Sequence, residues 1–208
     1  MNKSKMLSLD DKNILGEVCN ISMGAAATAL ATLINQRVEI TTPGVKIIPW
    51  NGLQDVHDGS FVGVRASYTE GLSGSNLLIL KARDAKIIAN LMMGGTGLPE
   101  EPVILNDMDK SAVTEAMNQM IGSAATALTI IDNKKIDISI PEYFTVDAGE
   151  ILPLCRADFA SNETVAIVDF RIEVGDLINS EVVQVMHMDA ALELIDALKK
   201  SGTQMRGT

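Results

Sequence analysis

A glutamate followed three residues later by an asparagine occurs twice in the chain, as Glu17 with Asn20 and as Glu115 with Asn118. An asparagine side chain cannot act as a general base or a nucleophile near neutral pH, but its carboxamide can hold a water molecule by donating and accepting hydrogen bonds. A glutamine side chain has this role in GTP hydrolysis. The pairs therefore indicate hydrolysis of a substrate that brings its own metal ion and its own electrophile.

Each pair belongs to a longer series of residues that recur at intervals of 4, 3, 4 and 3. At about 100° per residue, this spacing places all members on one narrow stripe of a helix. Apolar residues mark the opposite side of the second helix, which a sheet would cover: Val113, Met117, Met120, Ala124, Leu128 and Ile131. The stripes themselves consist of Asn13, Glu17, Asn20, Gly24 and Ala27 and of Ser111, Glu115, Asn118, Gly122 and Ala125.

A glycine follows each asparagine by one helical turn. Glycine in a helix interior costs about 1 kcal/mol relative to alanine. Gly24 and Gly122 therefore imply that another segment approaches the helix backbone closely. That segment could belong to a partner or to the other half of the same domain. For a single Glu-x-x-Asn a merely solvated helix face is the ordinary interpretation, and two copies in register favour a functional one.

The two series are parts of an internal repeat, in which equivalent residues such as Glu17 and Glu115 lie 98 positions apart. Each copy predicts a long helix, three strands and a closing helix. The fold class is therefore predicted as α+β, a pseudo-twofold domain in which two α-β-β-β-α repeats share one mostly antiparallel sheet. We expect a single domain over residues 1–208, with the first repeat at about 9–97, a linker at 94–105 and the second repeat at about 106–200.

Short local signals predict where these elements begin and end. The predicted helices cover residues 9–34, 85–93, 108–131 and 190–199, and the predicted strands cover 38–42, 61–69, 76–80, 136–140, 165–174 and 182–187. Pro43 and Pro141 are interpreted as structural terminators of the strands before them. Four polar residues predict the ends of the long helices, Ser8 and Asn106 as N-caps and Asn35 and Asn133 as C-terminal stops.

The glycines at residues 94–97 could suggest a phosphate-binding loop. They follow a helix rather than a strand and lack the Gly-Lys-Ser/Thr ending of such loops, so we predict a helix stop followed by a linker.

Composition excludes several classes of function. The chain has 17 basic and 27 acidic residues and a formal net charge of -10, which disfavours nucleic acid as a partner. The apolar stretches are predicted to be shorter than the roughly 20 residues of a membrane span. We therefore expect no membrane insertion and a cytoplasmic location. Cys19, Cys155, His57 and His187 have no metal-ligand spacing. We therefore expect no bound metal, with both thiols reduced and partly buried.

Taken together, these residues resemble the CheC, CheX and FliY phosphatase family. The family pattern is Asp or Ser, three residues, Glu, two residues, Asn, twenty-two residues and Pro. The first copy departs from the pattern because Asn13 replaces the leading Asp or Ser, which implies a weaker or differently docked first site. The matching residues are Ser111, Glu115, Asn118 and Pro141 in the second copy and Glu17, Asn20 and Pro43 in the first.

The resemblance implies a phosphatase that acts on the phospho-aspartate of the chemotaxis response regulator CheY at the flagellar motor switch. Asn20 or Asn118 would orient an in-line water, and Glu17 or Glu115 would pair with a regulator lysine. The Mg²⁺ would be bound by CheY, and the chain would need no cofactor of its own. The docking faces would include Asn13, Gly24, Ser111 and Gly122.

The resemblance is strongest to FliY members of the family, which carry a C-terminal FliN-like domain that is absent here. We therefore expect this chain to be the middle domain, located at the cytoplasmic face of the basal body, with FliM, FliG and FliN-like proteins as further partners. The alternative is a catalytically silent structural module like the middle domain of FliM. FliM lacks the Glu and Asn pairs, and their presence here favours catalysis.

Overall fold

The computed structural model describes residues 7–51, 60–98, 102–146 and 163–204 of the 208-residue chain. Cys155 and His57, which the sequence analysis considered as possible metal ligands, lie outside these ranges. Within them the helices are α1 (Leu9–Ile34), α2 (Ala82–Met92), α3 (Asp107–Asp132) and α4 (Met188–Gln204). The strands are β1 (Val38–Pro49), β2 (Phe61–Glu70), β3 (Ser75–Lys81), β4 (Asp137–Ile138), β5 (Glu142–Val146), β6 (Thr164–Val174) and β7 (Ile178–His187).

The strands form one antiparallel sheet in the order β1-β6-β7-β3-β2-β4, and β5 pairs with β2 as well. The first strand of each repeat lies beside the second strand of the other repeat, since β1 pairs with β6 and both β4 and β5 pair with β2. The last strands of the two repeats, β3 and β7, meet at the centre of the sheet. The predicted α+β class and shared antiparallel sheet are confirmed, and the exchange of first strands shows that the repeats are interleaved.

The central strands are buried on both faces. In β3, Leu78 and Leu80 join the large core cluster beneath the helices, whereas Leu77 and Ile79 join a smaller cluster on the other face. Successive side chains of a strand point to opposite faces, so burial on both faces requires a nearly continuous apolar run. α1 and α3 pack against each other on the helical side of the sheet. The sheet therefore fixes the two long helices as neighbours.

Both long helices begin in the same way. The Ser8 hydroxyl accepts a hydrogen bond from the Asp11 N–H at 3.1 Å, and the Ser8 N–H donates to the Asp11 carboxylate at 3.2 Å. Asn106 and Asp109 repeat this capping box at 2.9 and 2.8 Å. Each helix ends at an asparagine in the left-handed conformation, Asn35 at φ 51° and Asn133 at φ 53°. The predicted caps are confirmed.

The closing helix of each repeat holds the start of the other repeat's long helix. Lys86 of α2 pairs with Asp109 of α3 at 2.5 Å, and Lys199 of α4 pairs with Asp11 of α1 at 2.6 Å. Asp109 is buried, whereas Asp11 is only half-buried. The two interrepeat ion pairs are therefore alike in position and different in exposure.

The interpretation of Pro43 as a strand terminator is wrong. β1 continues through Pro43 to Pro49, with a register irregularity between Thr41 and Gly44. Proline has no N–H to donate, and a bulge accommodates it because one residue there is left out of the ladder. Pro141 lies at the matching position in the second repeat, where strand structure is interrupted between β4 and β5. The predicted strand at residues 136–140 is thus reduced to two residues, and β5 was not predicted.

α1 is more apolar than the sequence interpretation allowed. An 18-residue window of this helix has a mean hydropathy of 1.4, so by length and composition alone it is able to cross a membrane. In the structure 44% of that window is buried, and Leu15 and Leu30 are fully enclosed by the core. A core helix of a soluble domain passes the same test. The apolar composition of α1 is therefore accounted for by packing against α3 and the sheet.

The glycines that follow α2 end that helix, as predicted. Gly94 and Gly97 have φ values of 82° and 79°, a region that glycine adopts without steric cost. The Gly97 N–H donates to Asn90 Oδ1 at 2.7 Å, which ties the loop back to α2.

Candidate functional site

The polar stripe of α1 faces solvent over its first four members. Asn13, Glu17, Asn20 and Gly24 are exposed, and the last member, Ala27, is buried. The neighbouring positions on the helix pack into the core, so the stripe is the side of α1 that the fold leaves uncovered. The predicted exposure of this face is confirmed.

The stripe of α3 is less open than that of α1. Ser111 and Glu115 are exposed, Asn118 and Gly122 are half-buried, and Ala125 is buried. The predicted apolar side lies in the core: Val113, Met117, Met120 and Leu128 are buried, and Ala124 and Ile131 are partly buried. The structure thus places one Glu-x-x-Asn pair on each of the two long helices.

The first pair lies along a groove of about 540 Å³ between α1 and β1. One wall is α1, and the other is the irregular part of β1 around Thr41 and Gly44. Pro43, the proline of the family pattern, lies in the irregular part of β1 between Thr41 and Gly44. The groove is lined by Leu9, Lys12, Asn13, Gly16, Glu17, Asn20, Thr41, Gly44 and Val45.

The residues of the groove wall were not predicted as site residues. Gly16, Thr41 and Gly44 reach the site through the packing of β1 against α1, which no local pattern reveals. The repeat offered one usable signal, because Lys12 and Lys110 are equivalent positions. Because a lysine occurs near the Glu-x-x-Asn pair in both repeats, Lys12 and Lys110 could have been predicted as site residues.

The corresponding wall of the second site is bulkier. The second repeat carries Thr114, Glu142 and Tyr143 at the positions of Gly16, Gly44 and Val45. Glu142 is paired with Arg65 of β2, and Tyr143 packs against the core. The two repeats therefore share the Glu-x-x-Asn pairs and differ at the positions equivalent to the groove wall.

Among the residues that the structure describes, no other element approaches the glycines of the stripes. A Cβ atom added at Gly24 or at Gly122 would meet no described atom within 4 Å outside its own helix. Within the described ranges, the contact that these glycines were predicted to allow is therefore not made by the other half of the domain.

Cys19 and His187, the two described residues among the other candidate ligands, are held by their own surroundings. Cys19 is a free thiol in the core, and burial raises its pKa to about 12, which keeps it protonated. His187 pairs with Glu163 at 2.8 Å. Among the described residues, no group of three or more His, Cys, Asp or Glu side chains could hold a metal ion. Cys19 was expected to be partly buried, and the structure buries it almost completely.

A pseudo-twofold α+β domain with a Glu-x-x-Asn stripe on each long helix defines a two-site member of the CheC-like class. The model of the CheC-like family matches residues 11–47 and again residues 108–144, so each match contains one stripe and one family proline. The chain belongs to the CheC-like family.

The relatives include two curated proteins of Bacillus subtilis (strain 168). The flagellar motor switch phosphatase FliY is 44% identical over 195 residues, which are 94% of this chain and 51% of FliY. The CheY-P phosphatase CheC is 30% identical over 136 residues, which are 64% of this chain and 65% of CheC. The chain thus spans about half the length of the FliY relative.

The fold is found in solved structures of two flagellar proteins. Thermotoga maritima FliY superposes with a TM-score of 0.86 at 35% identity, covering 94% of this chain and 98% of that one. The middle domain of Helicobacter pylori FliM gives a TM-score of 0.68 at 11% identity, covering 92% and 99%. The FliM likeness is one of fold alone.

Proposed function

We propose that this chain is a phosphatase of the flagellar motor switch that hydrolyses the phospho-aspartate of the response regulator CheY. The observation that carries the proposal is the presence of two solvent-facing Glu-x-x-Asn stripes in a chain that is 44% identical to a flagellar motor switch phosphatase. A second relative is a CheY-P phosphatase, which supports phosphorylated CheY as the substrate.

In the proposed mechanism, each long helix inserts its stripe into the active site of a phosphorylated regulator. The carboxamide of Asn20 or Asn118 orients a water in line with the acyl phosphate. Glu17 or Glu115 pairs with a lysine of the regulator and so fixes the orientation in which the regulator binds. Positioning one hydrogen-bonding group in this way is commonly worth about 10²-fold to 10³-fold in rate, which is adequate for an already labile acyl phosphate.

The magnesium ion in this mechanism belongs to the regulator, and the chain supplies no metal or cofactor. The test is to treat the purified chain with a chelator, measure its content of zinc, manganese and iron, and then assay it with regulator and fresh Mg²⁺. We expect full activity from the metal-free chain. A requirement for a tightly held transition metal would contradict the mechanism.

The proposed location is the cytoplasmic face of the flagellar basal body, with FliM, FliG and FliN-like proteins as neighbours. A silent structural module is the second candidate, since the fold that this chain shares with the middle domain of FliM is compatible with either role. The deciding experiment measures phosphate release from phosphorylated CheY with and without this chain. Release well above the regulator's own rate supports a phosphatase, and an unchanged rate supports the silent module.

A further inference from the structure

The glutamates of the two sites differ in the residue one helical turn beyond them. In α3, Gln119 Nε2 donates a hydrogen bond to Glu115 Oε1 at 2.8 Å. In α1, the equivalent position is Ile21, whose side chain is 43% exposed and has no group to donate. Both stripes therefore have a glutamate at this position, but only Glu115 has a hydrogen-bond donor four residues further along its helix.

The Gln119 hydrogen bond restricts a side chain that would otherwise sample several conformations. Glu115 is exposed, so packing against neighbouring elements does not select its rotamer. Residues four apart on a helix face each other, which allows an amide at Gln119 to hold one carboxylate oxygen. The second oxygen, Oε2, is left to accept from a cation. Ordering a flexible side chain before binding reduces the entropy lost when a partner docks.

We propose that Gln119 is a positioning residue that presets the Glu115 carboxylate for a cationic group of the docking protein, and that the first site lacks this device. The proposal rests on the proposed function, in which Glu115 pairs with a lysine of the regulator. It assigns the difference between the two sites to affinity, because Gln119 acts on docking and does not touch the reacting atoms.

The test uses the full chain with the first site disabled by Glu17→Ala and Asn20→Ala. Gln119→Met removes the donor and keeps the length of the side chain. We expect the Kd for CheY carrying beryllium fluoride, which mimics the phosphoryl group, to rise about threefold. The KM for phosphorylated CheY should rise similarly, with kcat unchanged.

Two matched variants separate positioning from a structural effect. In a Glu115→Met background, Gln119→Met should leave the Kd unchanged, since position 115 then has no oxygen for the Gln119 amide to orient. With the second site disabled by Glu115→Ala and Asn118→Ala, Ile21→Gln should tighten binding by the first site about twofold, because it supplies the missing donor to Glu17.

The outcomes are distinguishable. An unchanged Kd in the Gln119→Met variant, or the same rise without Glu115, would overturn the positioning role while leaving the phosphatase proposal intact. A chain that binds beryllium fluoride-treated CheY no better than untreated CheY would overturn the proposed function, and the role of Gln119 would fall with it.

Discussion

Gly16 of α1 lies against Val45 of β1, and a methyl group added at Gly16 would meet Val45 Cγ2 at 3.6 Å. This is an ordinary van der Waals distance, and the second repeat already carries Thr114 at the equivalent position. We therefore expect Gly16→Ala to raise the free energy of unfolding by about 1 kcal/mol, as alanine does in a helix interior. Urea unfolding followed by circular dichroism would measure the change. A loss of stability would show that this contact is tighter than it appears in the structure.

Gly24→Ala should separate stability from activity. A Cβ at Gly24 meets no described atom within 4 Å, so the substitution should stabilise the helix by about 1 kcal/mol. If the regulator docks on this face of α1, the added methyl group lies between the helix and the regulator and hinders binding. We expect a weaker affinity for phosphorylated CheY in a chain with the second site disabled by Glu115→Ala and Asn118→Ala.

Gly122→Ala is the matched control for Gly24→Ala in this background, since a methyl group there also meets no described atom within 4 Å and Gly122 lies on α3, away from the first site. Gly24→Ala should lower the affinity more than Gly122→Ala does. Equal affinities in the two variants would place the docked regulator away from Gly24.

The asparagines carry the central prediction about catalysis. Asn20 and Asn118 lie on separate helices, so each should serve its own site. Asn20→Ala or Asn118→Ala alone should leave partial phosphate release, and the double variant should lose it. The free energy of unfolding should stay within about 1 kcal/mol of the parent, as is usual for polar positions at the surface.

Asn118→Ala should cost more activity than Asn20→Ala. Ser111 fits the family pattern whereas Asn13 departs from it, and Gln119 orients Glu115. The measurement is phosphate release under single-turnover and steady-state conditions. If a folded double variant still releases phosphate at the parental rate, residues other than Asn20 and Asn118 carry out the catalysis.

The parts of the fold that depend on local signals could be predicted from the sequence. The capping boxes at Ser8 and Asn106 and the C-terminal stops at Asn35 and Asn133 are each decided within a few residues. The repeat also predicted one shared sheet. It could not predict that β1 pairs with β6 of the other repeat, because an offset identifies equivalent residues and says nothing about which of two equivalent strands is the neighbour.

The candidate site could be predicted only in part for the same reason. Helical spacing placed Glu17 and Asn20 on one exposed face. The groove wall depends on the bulge between Thr41 and Gly44, and the local rule that proline ends a strand pointed to the wrong result there. A bulge is stabilised by the partner strand, and the sequence of β1 alone does not contain that information.

The two interrepeat ion pairs should contribute unequally to stability. Lys86→Met leaves the buried Asp109 carboxylate without its cation, which should cost about 3 kcal/mol. Lys199→Met removes the partner of Asp11, which retains access to water, so the loss should be much smaller. Urea unfolding of both variants gives the comparison. Similar losses would show that the burial of Asp109 does not control the strength of its pair.

The pKa of Asp11 provides the last prediction. The hydrogen bond from Lys199, together with those from Ser8, lowers the pKa of this carboxyl from 3.8 to about 2. A carboxyl group whose pKa is lower in the folded state contributes stability that is present above the unfolded value and is lost as the pH falls through the folded value. Here that window runs from 3.8 down to about 2.

Lys199→Met should therefore raise the pKa of Asp11 towards 3.8, and Ser8→Ala should raise it less, because the hydrogen bond from Lys199 is the larger cause. Carbon-13 NMR titration of the Asp11 carboxyl between pH 6 and pH 2.5 would follow both variants. Asp11→Asn should remove the corresponding acid-dependent part of the stability, so its unfolding curve should approach that of the parent as the pH falls through the window. An Asp11 pKa that stays unchanged in Lys199→Met would show that the α1–α4 ion pair does not form in solution.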